Sequence, residues 1–126
     1  MSESLTFVFP MPENLANARG HWRRRYRSKT ELWDELDMRV LLKMLPKPVA
    51  GMPWISVTVR SVMVLGNPSD DDNAVARHKS ILDWLKKHRY IVDDRRKNLR
   101  WESFPEQRIS RKEPASITLT ITKQGE

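Results

Sequence analysis

The residues of this chain that are spaced for phosphate chemistry are Asp70, Asp72, Lys79 and Asp94. Asp70-Asp71-Asp72-Asn73 follows a long β-rich segment. In an extended segment residues i and i+2 face the same way, so Asp70 and Asp72 can present carboxylates to one point while Asp71 faces away. Two like charges held that close are costly unless a cation sits between them. A hard cation such as Mg²⁺ takes oxygen ligands, often one or two carboxylates together with waters and a substrate phosphate. A solvated turn uses the same residues, because Asp and Asn favour turns and helix N-caps. Asp93-Asp94 is a second acidic pair. It lies beyond a helix expected after Asn73, and a returning segment can bring Asp94 beside Asp72; an ordinary acidic turn is the alternative. Lys79 stands seven residues after Asp72. On a continuous helix that is two turns, about 10 Å of rise, on the same face. Helical lysines lean toward the N-terminus, which closes part of the gap. A solvated surface lysine is again the alternative.

A second constellation is basic. Arg19, Arg23, Arg24, Arg25, Arg27 and Lys29 occupy a stretch without a single acid from residue 14 to 30, with His21, Trp22 and Tyr26 interleaved. Arginines neutralise phosphates and aromatic rings stack on unpaired bases, so the stretch suits nucleic acid. A solubilising loop with Trp22 in the core is the competing reading. Arg77, Arg95, Arg96 and Lys97 add positive charge around the acidic clusters. His21, His78 and His88 have no metal-ligand spacing, and His78 falls on an apolar helix face, as a core histidine does. No Ser/His/Asp arrangement emerges.

The elements that must position these residues follow from periodicity. Residues 5–9 read as a strand stopped by Pro10, and residues 10–27 as a loop marked by Pro, Asn and Gly. Ser28-Lys29-Thr30-Glu31 has the form of a capping box, so a helix is expected from there, with Trp33, Leu36, Val40 and Met44 on its apolar face and Pro46 as its end. Residues 46–53 are a Pro-rich connector. Residues 54–65 read as the longest and central strand, followed by the acidic turn and a helix to about residue 89 carrying Val75, His78, Leu82 and Leu85 inward. Residues 99–104 and 115–123 read as two more strands. The expected fold is a single small α+β or mixed α/β domain, β-α-β-α-β-β, with a mixed four-stranded sheet and two helices.

Composition narrows the function classes. The chain has 126 residues, one domain's worth, and a net charge of +7, which favours polyanionic partners. The absence of cysteine excludes disulfides, thiolate metal sites and a cysteine nucleophile. Only four glycines are present, none in a phosphate-cradling pattern. No apolar run approaches the ~20 residues of a membrane helix, and Met1-Ser2-Glu3-Ser4 lacks a basic leader, so a soluble intracellular protein is expected.

Taken together, Pro10-Met11-Pro12, His21-Trp22-Arg23-Arg24-Arg25, Asp70-Asp71-Asp72-Asn73, Lys79 and Ile91-Val92-Asp93-Asp94 resemble the RusA family of Holliday junction resolvases, over about residues 6–122. The resemblance implies a homodimeric, Mg²⁺-dependent endonuclease (Mn²⁺ also serving) that cuts four-way DNA junctions by paired nicks, encoded by bacteria, phages or prophages and acting in the cytoplasm. It implies a metal held by Asp70, Asp72 and Asp94, a catalytic lysine at Lys79, an active-site region over residues 66–97 and a DNA-contacting loop over residues 10–29. Arg19, Trp22, Arg23, Arg24, Arg25, Arg27, Arg77, Arg95, Arg96 and Lys97 would meet the DNA. One departure stands out. The family's lysine lies closer to the second aspartate, where this chain has Ala76; counted back from Asp93-Asp94, Lys79 falls at the family's separation. An insertion of about one helical turn accounts for both counts, and Arg77 is a second source of the same charge. The displaced lysine motivates an alternative: a relative that holds branched or single-stranded DNA without cutting it.

Overall fold

The computed structural model describes residues 3–12 and 22–124, and only the backbone of residues 22–26 and 28. Its elements in chain order are β1 (Ser4–Pro10), α1 (Trp22–Leu41), β2 (Val57–Leu65), α2 (Asp71–Ala76), α3 (Lys79–Lys87), β3 (Leu99–Trp101), β4 (Glu106–Ile109) and β5 (Ser116–Lys123). Apolar residues at alternate positions build the sheet. Phe7 and Phe9 on β1, Val57, Val59 and Met63 on β2, and Ile117, Leu119 and Ile121 on β5 all point to one buried face. The other face carries Thr6, Thr58, Arg60, Thr118, Thr120 and Thr122, all partly or fully exposed. Thr6 and Thr120 hydrogen-bond across it at 3.1 Å.

The strand order is β1-β5-β2, antiparallel throughout, with β3 and β4 both parallel to β2 on its far edge. Residues 57–59 pair with β3 and residues 62–65 with β4, so the two short strands share one edge position. The sheet is mixed, as expected, but has five strands rather than four: the strand expected over 99–104 ends at Trp101, and Glu106–Ile109 forms a strand outside that expectation. Pro105 has no N–H to give to a ladder, and the chain leaves the edge around it before rejoining at Glu106.

The helices cover the apolar face. Leu36 from α1, Ala74 from α2, and Ile81, Trp84 and Leu85 from α3 join Phe7, Phe9 and Met63 in one core. Trp84 stacks on Tyr90 at 5.4 Å between ring centres, and Tyr90 meets Phe7 edge-on at 5.2 Å. Trp33 Nε1 donates to the Ser80 carbonyl at 3.0 Å, and Trp84 Nε1 donates to Asp37 at 2.9 Å, which pins α1 along α3. Among the described residues no helix is long and apolar enough to cross a membrane.

Two expectations for α1 are corrected. The helix begins at Trp22, so Ser28 is an interior residue rather than a cap, and residues 22–29 of the expected loop are helical. The run from Trp22 to Arg27 contains no Gly or Pro, and Arg is a good helix former, so the helix propagates through it. At the other end α1 stops before Pro46. Lys43 takes a left-handed φ of 60°, Met44 N–H reaches back to the Arg39 carbonyl at 2.8 Å, and Lys43 N–H to that of Val40 at 3.0 Å. This is a Schellman turn, and it leaves Met44 exposed rather than on the apolar face. Arg19 and His21 lie outside the described residues.

Candidate active site

The acidic and basic residues are organised by a break in the second helix. His78 is fully buried. Its Nδ1 donates to the Ala74 carbonyl at 2.8 Å, and its Nε2 lies 2.6 Å from the Ser61 hydroxyl on β2. A carbonyl only accepts, so Nδ1 carries the hydrogen and Nε2 accepts from Ser61 in the neutral ring. The ring thereby occupies the carbonyl that would receive the His78 N–H in a regular α-helix. That N–H turns instead to Val75 at 3.0 Å, a tightened i→i+3 step. The helix is therefore two segments, and the two-turn spacing from Asp72 to Lys79 does not run along one continuous face. Lys79 becomes the first residue of α3. Burial pushes the His78 pKa down to about 4, and the Ala74 bond opposes this only in part.

The far end of α3 returns the chain to that point. Arg89 takes a left-handed φ of 64°, and Tyr90 N–H reaches the Leu85 carbonyl at 2.9 Å in a second Schellman turn. Ile91 then bridges to Trp54 in the core. Asp93 Oδ1 accepts the Asp94 N–H at 2.8 Å and lies 3.5 Å from Lys86 Nζ, while Asp93 Oδ2 lies 3.0 Å from Arg95 Nε. The Asp94 N–H foremost, with these two cations, lowers the Asp93 pKa. Asp94 ends beside the start of α3, where Lys79 Nζ donates to its Oδ2 at 2.8 Å. Lys79 also lies 3.2 Å from Asp83, which in turn is 3.6 Å from Lys29 of α1. The hydrogen bond to Asp94, above the other causes, raises the Lys79 pKa, so the ammonium stays charged.

Asp70 is the extended N-cap of α2, and Asp71 and Asp72 form its first turn, where the helix dipole favours carboxylates. This corrects the expected extended alternation across all three residues: the helix starts before Asn73, not after it. Asp70 makes no side-chain capping bond, and Asp70 and Asp72 are both exposed. The residue before them is clamped to β4. Ser69 N–H donates to Gln107 Oε1 at 2.8 Å, and Gln107 Nε2 donates to the Ser69 carbonyl at 2.7 Å.

Lys79 and Asp94 are thus brought together. Asp70, Asp72 and Asp94 are the hard oxygen donors that Mg²⁺ or Mn²⁺ takes, so their chemistry fits such an ion. Among the described residues, however, no three His, Asp or Glu side chains stand together at metal-holding spacing. Arg77 is partly buried and its Nε has no hydrogen-bond partner. Arg95 is tied to Asp93, while Arg96 and Lys97 are exposed. The backbone of Trp22, Arg23, Arg24 and Arg25 is helical, and Arg27 is exposed on the same helix.

Sequence reasoning missed Gln107, Arg100 and Trp101. Gln107 sits on a strand too short to show alternation, and the other two lie on β3, read only as a strand. Compared with known proteins, the chain matches no family model and no curated protein.

Proposed function

We propose that this protein is a divalent-metal-dependent, structure-selective DNA endonuclease of the RusA type that resolves four-way junctions by paired nicks. The observation that carries the reading is the meeting of Lys79 and Asp94 at the start of α3. Residues fifteen apart in sequence converge there, immediately after the helix that Asp70 and Asp72 open. Asp70, Asp72 and Asp94 would hold the ion. When bound, Mg²⁺ polarises the phosphoryl oxygen and makes a bound water more acidic.

The chain's own residues supply the rest. Arginines of α1 and of residues 95–97 would hold the phosphates on either side of the cut. Lys79, kept charged by its carboxylate neighbours, would stabilise the charge that grows on the phosphate or the leaving oxygen. Hydrolysis would form a P–O bond from water and break the P–O3′ bond, leaving a 3′-hydroxyl and a 5′-phosphate. A homodimer would carry two such sites related by a two-fold axis, matching the two-fold symmetry of a junction. The cytoplasm of a bacterium, with a phage or prophage gene as the source, is the setting this reading implies.

The 2.8 Å Lys79–Asp94 pair also favours a second reading. A carboxylate held by an ammonium is a poorer metal ligand, as in a relative that grips branched or single-stranded DNA without cutting it. Incubation with a synthetic four-way junction in Mg²⁺, Mn²⁺ or EDTA separates the two. Symmetric nicks that need the metal support the nuclease; tight binding with no cuts in either metal supports the binding protein.

A further inference from the structure

Beside Asp94 the surface opens into a cavity of about 490 Å³ lined by Asp94, Arg96, Leu99, Arg100 and Trp101. That volume lies within the range of about 300–1,000 Å³ typical of small-ligand sites. The lining brings two arginines, Arg96 and Arg100, next to the apolar Leu99 and Trp101 at the edge of the sheet. Arg96 and Arg100 are both exposed, and neither is paired with a carboxylate among the described residues. The nearby acids do not cancel them. Asp94 is neutralised by Lys79 at 2.8 Å, and Asp93 by Arg95 at 3.0 Å. Trp101 is preorganised: β3 ties its backbone to β2, and the buried His78 ring meets its indole edge-on at 5.0 Å. Arginines lining the same cavity as a held aromatic ring match a ligand with an anionic end and a flat face.

We propose that this cavity receives one unstacked nucleotide of a DNA strand, with Trp101 against the base and Arg96 and Arg100 on the neighbouring phosphates. The assignment rests on the nuclease reading only for its purpose; its chemistry is that of a single-strand site. A paired base has both faces covered and cannot enter a cavity, so the site selects strands whose bases are free to leave the stack. Such strands occur where a duplex branches. The cavity shares Asp94 with the Lys79 pair, so a nucleotide held there would set its own phosphate beside Asp94 and Lys79. That makes the cavity a device for choosing branched over continuous duplex.

The test uses the full chain in EDTA, where nothing is cut, and a short single-stranded oligonucleotide carrying one 2-aminopurine. Binding is read from the quenching of that base as salt is varied. Base–aromatic stacking is worth enough that Trp101→Ala should weaken binding about 5- to 100-fold. Trp101→Phe should recover part of the loss. Because Trp101 also touches the core, the exposed pair Arg96→Gln with Arg100→Gln is the second variant. It should lower the log–log salt slope by about 0.7 for each phosphate left without its arginine. Phe104→Ala, at an exposed aromatic outside the cavity, should bind as the parent does. Wild-type affinity and slope in the folded double-arginine variant overturn the proposal, as does unchanged quenching in a folded Trp101 variant. Junction cleavage is scored separately. Quenching that depends on Trp101 in a protein that never nicks sinks the nuclease and keeps the cavity; normal nicking with Trp101-independent binding does the reverse.

Discussion

Lowering the pH from 7 to 4 should cost the fold about 3 kcal/mol through His78 alone. The folded pKa is about 4, against an ordinary value of 6.5, because the ring is buried. Between those values the unfolded chain holds a proton that the folded one does not. Stability therefore rises with pH in that window, is fully present above 6.5, and is lost as the pH falls toward 4. Protonation also places a hydrogen on Nε2, where Ser61 now donates at 2.6 Å, so that bond must reverse. For a domain stabilised by roughly 5–15 kcal/mol the effect is large. The assay is urea unfolding across this pH range for the parent and for His78→Gln, which cannot titrate. The variant should start less stable, having lost the ring's packing, but should lose about 3 kcal/mol less on acidification than the parent. Carboxylate titration is common to both and cancels in the difference. Parallel curves would refute the reasoning and mean that His78 protonates in the folded state as easily as in the unfolded.

Other outcomes follow from the same geometry. Gln107→Ala removes both bonds to Ser69. It should cost about 1–3 kcal/mol of stability and slow cleavage more than it weakens junction binding, checked by thermal unfolding and single-turnover assays. Lys79→Ala should slow cleavage by about 10²–10³ while Arg77→Ala leaves it near the parent rate; the opposite ranking would hand the role to Arg77. Replacing Arg23, Arg24 and Arg25 with Ala should lower the salt slope of duplex binding by about 0.9 for each phosphate that they neutralise. An unchanged slope would mean that these arginines do not touch phosphate.

Strand positions are legible because alternation survives burial on one face: Ile117, Leu119 and Ile121 against the threonines of β5 are unambiguous in the string. His78 is legible as a core histidine for the same reason, through its place on an apolar helix face. What its ring does is not. Capture of the Ala74 carbonyl joins a side chain to a neighbouring turn, and hydrophobic period cannot report it. The break that displaces Lys79 from the face of Asp72 is therefore invisible in the sequence. The start of α1 is obscured because a good local cap at Ser28 competes with helix-forming arginines before it, and the arginines prevail. The sequence leads to an Asp94 beside Asp72, whereas the residue that Asp94 meets is Lys79, at the start of α3. Non-glycine residues at both left-handed turns, Lys43 and Arg89, hide the signals that glycine would give. Gln107 carries no pattern at all, since a clamp on one backbone residue leaves no periodic trace.

Cleavage of branched DNA is proposed to need a metal held by Asp70, Asp72 and Asp94. Single-turnover nicking of a four-way junction by the parent, Asp70→Asn and Asp72→Asn, with junction binding measured in parallel, tests it most directly. Asparagine keeps the shape of each side chain while removing the charge an ion needs and the repulsion a phosphate feels. Metal-dependent symmetric nicks by the parent, and loss of nicking in both variants with binding equal or tighter, are the predicted result. Nicking at the parent's rate in both variants, or a parent that binds junctions and never cuts them, would contradict it.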